Sequence, residues 1–244
     1  MIRIEDCETP FGPVTISKAK ATGAITYEQG GCCQSQADGN GVSLAAYIHA
    51  LYNLVSQTRA QRVLLIGCGG GTLGTMLARA GRTVTIVDVN PASFVLARQY
   101  FSLAKDVICE VADGKAFLLS ATSIFDAIVL DAYHGDRIPL HLQSLLFFEA
   151  ARDHLSSRGA IFANVHVQHD LDGSADRIAD CMSNVWPHVR LLDFEGALGR
   201  NAIVMAGVVS RLAPPYVESP PASNWNEIER ELASMRFRAV RIPP

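Results

Sequence analysis

The sequence predicts an α/β protein: a doubly wound, mostly parallel sheet that ends in an antiparallel hairpin, with a small antiparallel β-domain before it. From Arg62 onward, short apolar runs alternate with helical segments, which is typical of strands joined by helical crossovers. Two later β-prone runs are joined only by "GALGR", a connection that permits only antiparallel pairing. Residues 1–40 consist of short β-prone runs between turn residues.

The amino-terminal segment, residues 1–40, is the predicted β-domain. Its runs "RIEDCE", "GPVTISKA" and "GAITYEQ" are separated by glycine and proline turns, which favours a small antiparallel sheet. The next segment, "GVSLAAYIHALYNLVSQ", repeats apolar residues at helical spacing. It predicts a helix that packs one face on a core, formed by Leu44, Tyr47, Ile48, Leu51 and Leu54.

Residues 41–211 form the predicted central domain. Five apolar strands alternate with helices: "RVLLIG", "RTVTIVDV", "DVICEVAD", "FDAIVLD" and "GAIFANVHV". Between the last two of these, "LHLQSLLFFEAARDHLS" predicts one continuous helix. The hairpin runs "HVRLLDFE" and "NAIVMAGVV" complete a seven-stranded, Rossmann-like sheet. A parallel sheet that finishes in an antiparallel hairpin is the arrangement of the S-adenosylmethionine-dependent methyltransferase fold.

Residues 212–244 predict a linker and a terminal helix. The linker "APPYVESPPAS" is broken by prolines, and the helix is "NWNEIERELASM". Asn224 with Glu227 three positions later predicts a capping box at the start of this helix.

Composition excludes several classes of function. The net charge is −3 and the basic residues are scattered, so no surface for nucleic acid is expected. The apolar runs are far shorter than the ~18 residues of a membrane span, and residues 1–30 lack a signal-peptide pattern, so we expect a cytoplasmic protein with no membrane partner. The six cysteines form no CxxC pair and are interpreted as reduced, buried residues.

The segment "VLLIGCGGGTLG" predicts a strand, a tight loop and the start of a helix. Gly67, Gly69 and Gly71 allow the backbone to turn sharply and to bring free N–H groups close to a ligand. The stretch from Gly69 to Gly74 also satisfies GxGxxG, so a nicotinamide or flavin cofactor is an alternative. A third interpretation gives these glycines a packing role only.

Acidic residues end the next two predicted strands. Asp88 lies about 20 residues beyond the loop, where a carboxylate can accept hydrogen bonds from both ribose hydroxyls of an adenosyl or nucleotide ligand. Asp113, followed by Gly114, can accept a hydrogen bond from an adenine amino group. The alternative for both acids is that each only caps the helix that follows it.

The stretch "DAIVLDAYHGDRIP" places several polar residues directly after the fourth strand. Ligands of open α/β sheets lie beyond the carboxyl ends of the strands, so Asp131 is expected to face the same crevice as the glycine loop. A carboxylate there can attract an ammonium nucleophile and accept its proton, which makes Asp131 the predicted general base. Tyr133, His134 and Asp136 are candidates for substrate binding. Alternatively, Asp131 caps the strand end or holds the charge of the cofactor. Tyr133 then covers the cofactor as an aromatic lid or only packs, His134 is a surface or hydrogen-bonded loop residue, and Asp136 is a turn residue.

Two further kinds of site are not supported by the sequence. The spacing of His166 and His169 is compatible with a metal site, but no third ligand accompanies them, so no metal is expected. No nucleophile-elbow motif supports hydrolysis by a Ser-His-Asp triad.

The sequence resembles the spermidine synthase, or polyamine aminopropyltransferase, family over most of its length. The motifs that carry the resemblance are "ETPFGPV", "LLIGCGGGTL", "IVDVNP", "ADGKAFL", "VLDAYHGDRIPLHL" and "NAIVMAG". The family joins a small amino-terminal β-domain to a methyltransferase-like domain, which agrees with the predicted organisation. The resemblance also implies a homodimer.

The same resemblance implies roles for individual residues. Gly67, Gly69 and Asp88 would hold decarboxylated S-adenosylmethionine or S-adenosylmethionine itself, and Gln34 falls where the family has a cofactor-side glutamine. Asp113 would contact the adenine. Asp131 would deprotonate the attacking amine.

Three departures from the family pattern concern mainly the amine pocket. The family's glycine loop usually carries an Asp between its glycines, and here that place reads Gly69-Gly70-Gly71. Its Tyr-His pair would fall at Ser43 and Leu44, and the second acid of its Asp-x-x-Asp motif is His134 here. The resemblance therefore implies an adenosyl-sulfonium donor but leaves the acceptor open.

The predicted activity is transfer of an aminopropyl group from decarboxylated S-adenosylmethionine to a small-molecule amine or other nucleophile. The alternatives are a small-molecule methyltransferase on the same scaffold, a non-catalytic adenosyl-ligand binding protein and a nicotinamide oxidoreductase. An aminopropyltransferase must accept a donor without its carboxylate, whereas a methyltransferase normally binds that carboxylate. Comparing the two donors therefore discriminates between the first two hypotheses.

Overall fold

A computed structural model describes residues 1–241 of the chain, and it begins with a four-stranded antiparallel sheet. The strands lie side by side in chain order, since each is joined to the next by a short turn. They are β1 (Ile2–Cys7), β2 (Val14–Lys18), β3 (Ile25–Gln29) and β4 (Cys32–Ala37). The predicted antiparallel amino-terminal sheet is therefore present.

The second sheet has eight strands and contains the predicted parallel core. Its strands are β5 (Arg62–Ile66), β6 (Thr83–Asp88), β7 (Ile108–Val111), β8 (Phe125–Leu130), β9 (Leu155–Val167), β10 (Val189–Asp193), β11 (Arg200–Gly207) and β12 (Arg236–Arg238). They are arranged in the order β12-β10-β11-β9-β8-β5-β6-β7. Strands β5 to β9 pair in parallel, whereas β11 pairs antiparallel with both β9 and β10. The predicted fold class is confirmed.

Strand β12 is a correction to the predicted seven-stranded sheet, because it adds an eighth strand at the free edge of β10. Its three residues, Arg236–Arg238, carry two arginines around one phenylalanine. So short and charged a run does not have the apolar pattern from which a strand is predicted. The pairing is instead specified by distant ion pairs, described below.

Helices cover both faces of the large sheet. They are α1 (Ala46–Gln57), α2 (Thr72–Arg79), α3 (Pro91–Tyr100), α4 (Gly114–Ser120), α5 (Leu145–Asp153), α6 (Ser174–Ser183) and α7 (Trp225–Ser234). Alternate residues of one strand enter different cores: Val129 belongs to the cluster that includes residues of α1, α2 and α7, whereas Ile128 belongs to the cluster that includes residues of α4, α5 and α6. Both faces of the strands are therefore buried, which explains their continuous apolar sequences. No helix in residues 1–241 has both the length and the apolar composition that a membrane crossing requires.

Two predicted helix boundaries differ in the structure. The segment "LHLQSLLFFEAARDHLS" is divided into a 3-10 turn over Leu140–Gln143 and α5, because the Ser144 hydroxyl accepts a hydrogen bond from the Phe147 N–H and starts a new helix. Asn224 does not form the predicted capping box. Its φ of +60° is left-handed, and its side chain makes no capping hydrogen bond; its carbonyl accepts from the N–H groups of Glu227 and Ile228 instead.

A buried ion network attaches β12 to the rest of the sheet. Arg238 Nε lies 2.9 Å from Asp193 Oδ2, and its two Nη atoms bind both oxygens of Asp176 at 2.8 and 2.9 Å. On the other side of Asp193, Arg200 Nε lies 2.7 Å from Oδ1. Burial alone would raise the pKa of Asp193, but its hydrogen bonds with Arg200 and Arg238 hold that pKa below its usual value.

We expect Arg238→Met to lower the free energy of unfolding by about 3 kcal/mol, because it leaves buried Asp193 and Asp176 without one of their counter-charges. Denaturant unfolding at pH 7 measures the effect. The matched control is Arg236→Met in the same strand, since the Arg236 side chain is exposed and bonds only to carbonyl groups. Because the network lowers carboxylate pKa values, its contribution is present at neutral pH and is lost as the pH falls below about 4. Equal unfolding midpoints for the two variants would contradict this account.

Candidate active site

The carboxyl ends of β5, β6 and β8 bring the predicted site residues to one edge of the sheet. Strand β5 lies between β6 and β8, so the glycine loop that follows it has the ends of both strands as neighbours. The Gly67 N–H donates to the carbonyl of Val87 at 2.9 Å, and the Asp131 N–H donates to the carbonyl of Ile66 at 2.8 Å. The loop, the end of β6 and the start of the stretch after β8 are thus held together by backbone hydrogen bonds.

Gly67 is required where it stands because the backbone of Asp131 passes directly beside it. Its φ is +102°, and a Cβ atom would lie 2.2 Å from the Asp131 carbonyl oxygen. Gly69, at φ +50°, faces the amino-terminal sheet: a Cβ atom there would lie 2.8 Å from Ser35 Oγ. Gly71 immediately precedes α2. Gly67 and Gly69 therefore let the loop pack closely against Asp131 and Ser35. Packing was one of the roles considered for these glycines.

The amino-terminal sheet contributes two polar side chains to this edge. Ser35 Oγ accepts a hydrogen bond from the Gly70 N–H at 3.0 Å. Gln34 Nε2 donates to the carbonyl of Gly135 at 3.3 Å, in the turn that follows β8. Strand β4 therefore bridges the glycine loop and that turn, and a cofactor contact by Gln34 stays a prediction. Ser35 was not predicted as a site residue.

Asp88 holds the glycine loop through both of its carboxylate oxygens. Oδ2 accepts from the Cys68 N–H and Oδ1 accepts from the Asn90 N–H, each at 2.7 Å. Burial raises the pKa of Asp88 despite these two hydrogen bonds. Each oxygen retains a lone pair, so the same carboxylate can also accept from ribose hydroxyls.

Asp113 caps α4, which was the alternative interpretation of this residue. Its Oδ1 accepts from the N–H groups of Lys115 and Ala116 at 3.0 and 2.9 Å, while Oδ2 lies 2.6 Å from His141 Nε2. Burial alone would raise the pKa of Asp113, but the Ala116 N–H and His141 hold it below its usual value. A Cβ atom on Gly114 would lie 2.4 Å from Ile66 Cγ2, so Gly114 lets α4 pack on β5. The adenine contact stays a prediction.

Asp131 lies beside the glycine loop and is bound mainly by neutral groups. Asn164 Nδ2, on β9, donates to Asp131 Oδ1 at 2.8 Å. The hydroxyl of Tyr47, in the first turn of α1, lies close enough to stabilise the ionised carboxylate. Burial raises the pKa of Asp131 to about 6, although Asn164 and Tyr47 both oppose this rise. The carboxylate is ionised at pH 7 but binds a proton more readily than an ordinary aspartate, which suits a general base.

A chain of amides and phenols extends from Asp131 across β9 to β11. Asn164 is buried, and its Oδ1 accepts from Asn201 Nδ2 at 3.0 Å. Tyr133 binds the backbone of β9: its hydroxyl donates to the carbonyl of Asn164 at 2.8 Å and accepts from the His166 N–H at 2.9 Å. Burial raises the pKa of Tyr133, so this phenol stays neutral. One side of the site is therefore a rigid wall of neutral groups.

His134 and Asp136 do not take part in the hydrogen bonds described above for Asp131. They belong to an exposed turn closed by reciprocal backbone hydrogen bonds between His134 and Arg137. Asp136 Oδ1 lies 3.8 Å from Nε of its neighbour Arg137. Substrate contact by either residue stays a prediction.

Sequence reasoning missed Tyr47 and Asn164 as site residues. Tyr47 was assigned to the apolar face of its helix, and Asn164 lies inside an otherwise apolar strand. A polar amide in such a strand is a signal that could have been used, since buried polar groups require partners.

In residues 1–241, no group of three or more potential metal ligands comes together, and His166 instead contributes its backbone N–H to Tyr133.

Comparison with known proteins gives relatives of two kinds. A methyltransferase domain family matches residues 63–159. A probable polyamine aminopropyl transferase of Bifidobacterium longum is 29% identical over 130 residues, which cover 52% of this chain and 29% of that protein. A polyamine aminopropyltransferase of Vibrio vulnificus is 30% identical over 121 residues, which cover 47% of this chain and 40% of that protein. The chain thus spans well under half the length of these two relatives.

Solved structures with a similar fold align with nearly the whole chain. A probable spermidine synthase from Corynebacterium glutamicum has a TM-score of 0.78 at 19% identity, covering 98% of this chain and 90% of that one. A spermidine synthase in complex with the transition state analogue AdoDATO has a TM-score of 0.71 at 18% identity, covering 99% and 86%. The chain is thus similar in sequence to polyamine aminopropyltransferases over about half of its length, and it shares the fold of solved spermidine synthases.

Proposed function

We propose that the protein is a transferase that moves an aminopropyl group from decarboxylated S-adenosylmethionine to an amine, with Asp131 as the general base. The observation that carries this proposal is the position of Asp131. Its backbone lies against Gly67 of the glycine loop, and its carboxylate has a pKa raised to about 6 by burial. Proton removal from an attacking amine requires a base beside the loop that would hold the donor.

The proposed donor site consists of the loop after β5 and the acids that end β6 and β7. An adenosyl group would lie over Gly67 and Gly69, with its ribose hydroxyls near Asp88 and its adenine near Asp113. Gln34 and Ser35 would border the group from the amino-terminal sheet. The polyamine aminopropyltransferases among the relatives, and the neighbour whose complex contains AdoDATO, support an adenosyl-based donor.

The reaction would be a direct displacement at carbon. The nitrogen lone pair of the acceptor attacks the propyl carbon attached to sulfur, the C–S bond breaks, and its electron pair returns to sulfur as neutral methylthioadenosine. The proton lost by the nitrogen passes to Asp131. Because the leaving group carries no charge after departure, the main tasks of the protein are alignment and proton removal.

A methyltransferase on the same scaffold is the second candidate, because the matched domain family is a methyltransferase family. Calorimetry with decarboxylated and intact S-adenosylmethionine separates the two. Tighter binding of the decarboxylated donor, with release of methylthioadenosine when an amine is added, supports aminopropyl transfer. Tighter binding of the intact donor, with release of S-adenosylhomocysteine, would contradict aminopropyl transfer and support methyl transfer.

A homodimer, proposed by resemblance, is tested separately by the mass of the protein in solution.

We expect Asp131→Asn to reduce kcat at least roughly a hundredfold, since an amide cannot accept the proton. The same variant should unfold at higher denaturant concentration than the native protein at pH 8. Its free energy of unfolding should rise by about 1–3 kcal/mol, because an ionised, partly buried carboxylate is removed. Steady-state kinetics and unfolding of the same preparation measure both effects. Turnover that is unchanged in this variant would eliminate Asp131 as the base.

The pH profile provides an independent check on the base. We expect kcat/KM to fall as the pH drops through about 6, since the protonated Asp131 cannot accept the proton. Tyr47 and Tyr133 have raised pKa values and do not titrate in this range. In Asn164→Ala the acid limb should move to higher pH, because the lost hydrogen bond stabilises the ionised form. Asn184→Ala, which removes a remote amide bonded to the Asp180 carbonyl, serves as the matched control.

A further inference from the structure

Four N–H groups of the glycine loop donate hydrogen bonds within the protein. Three of the acceptors lie in β6 or in the loop itself, and the bonds run from Gly67 to the Val87 carbonyl, from Cys68 to the Asp88 carboxylate and from Gly71 to the Cys68 carbonyl. The fourth acceptor is a side chain of the amino-terminal sheet, since the Gly70 N–H donates to Ser35 Oγ at 3.0 Å. Ser35 thus supplies an acceptor to the loop from a different sheet.

Packing on both sides of the loop holds the Ser35 hydroxyl against this N–H. On one side, Ser35 pairs with Tyr27 of β3, whose side chain is fully buried. A Cβ atom on Gly69 would lie 2.8 Å from Ser35 Oγ, so the strand and the loop touch directly. On the other side, a Cβ atom on Gly70 would lie 2.8 Å from the ring of Phe101. The loop therefore cannot move away from Ser35 without disturbing a packed aromatic ring.

Ser35 and Asp131 line the same small cavity beside the glycine loop. The cavity has a volume of about 20 Å³, which is room for about one water molecule. Gly67, Gly71 and Thr72, the first residue of α2, also line it. Because the reacting carbon of the donor must come within reach of Asp131, the arm attached to its sulfur would lie at this end of the loop. Ser35 therefore lies on the side of the loop that the donor's reacting arm would occupy.

Intact S-adenosylmethionine differs from the proposed donor by one carboxylate on this arm. A carboxylate binds well to free N–H groups at the start of a helix, where the helix dipole is positive. The Gly70 N–H lies just before α2, but the Ser35 hydroxyl already accepts its hydrogen bond. The acids at this edge, Asp88 and Asp131, have only neutral partners within residues 1–241, so they repel a further carboxylate. The site thus offers the intact donor repulsion and one N–H fewer.

We infer that Ser35 is a specificity-determining residue for the donor: its hydroxyl occupies the Gly70 N–H and so withholds that N–H from the carboxylate of intact S-adenosylmethionine. The inference rests on the proposed aminopropyl transfer and concerns the donor end of the same site. A decarboxylated donor has no group that needs this N–H, so the bond between Ser35 and Gly70 costs it nothing. Ser35 acts on binding and takes no part in the proton transfer.

The test measures binding of both donors to the native protein and to Ser35→Ala by calorimetry at pH 8. We expect the ratio of Kd for the intact donor to Kd for the decarboxylated donor to fall roughly tenfold in the variant, because the freed Gly70 N–H can then bind the carboxylate. Gln36→Ala is the matched control, since Gln36 lies on the same strand but its side chain donates to Thr26 Oγ1 inside the amino-terminal sheet. Its ratio should stay within about twofold of the native value.

Two further ligands separate the loss of specificity from a merely loosened loop. S-adenosylhomocysteine carries the same carboxylate without the sulfonium charge, and it should gain affinity for Ser35→Ala as the intact donor does. Methylthioadenosine has no carboxylate, and its affinity should be the same for both proteins. Equal weakening of all four ligands would mean that Ser35 only supports the loop, which would overturn the inference.

The outcomes for the inference and for the proposed function are distinct. If the native protein prefers the decarboxylated donor and Ser35→Ala leaves the ratio unchanged, the role of Ser35 is refuted and aminopropyl transfer stands. If the native protein prefers the intact donor, or binds neither donor, the proposed function fails and the inference fails with it.

Discussion

The contact between the backbones of Gly67 and Asp131 is the constraint on which the site depends. It exists because β5 and β8 are adjacent parallel strands, so the chain leaves both at the same edge. Only a glycine leaves room for the Asp131 carbonyl, since a Cβ atom would lie 2.2 Å from it. The proposed donor loop and the proposed base are thereby fixed relative to each other by main chain, without reliance on flexible side chains.

The neutral wall around Asp131 has opposite effects on stability and on chemistry. Asn164 and Tyr47 stabilise the ionised carboxylate, but burial outweighs them and raises the pKa to about 6. The folded protein therefore retains a carboxylate that would be more stable in water, and the packing of β8 and β9 on both faces of the sheet offsets that cost. A base with an ordinary pKa would be less costly to fold and less able to take a proton.

The local features of the fold could be predicted from sequence, whereas contacts made across the sheet could not. The glycine loop and Asp131 each follow an apolar strand, so the strand pattern alone places them at one edge. Asn164 reaches Asp131 from β9, and Tyr47 from α1, through register and helix rotation that no local pattern specifies. For Asp113 the pattern was compatible with both a cap and a ligand contact, and a carboxylate with two oxygens can serve both.

Strand β12 has a consequence for how the molecule meets other proteins. A β10 edge without a neighbour would offer unpaired N–H and C=O groups to any extended chain. Strand β12 covers that edge with three residues and leaves an outer edge that is short and carries the exposed Arg236. A short edge with a charged side chain resists the edge-to-edge pairing that leads to aggregation. The ion network around Asp193 thus holds a small protective border on a large apolar sheet.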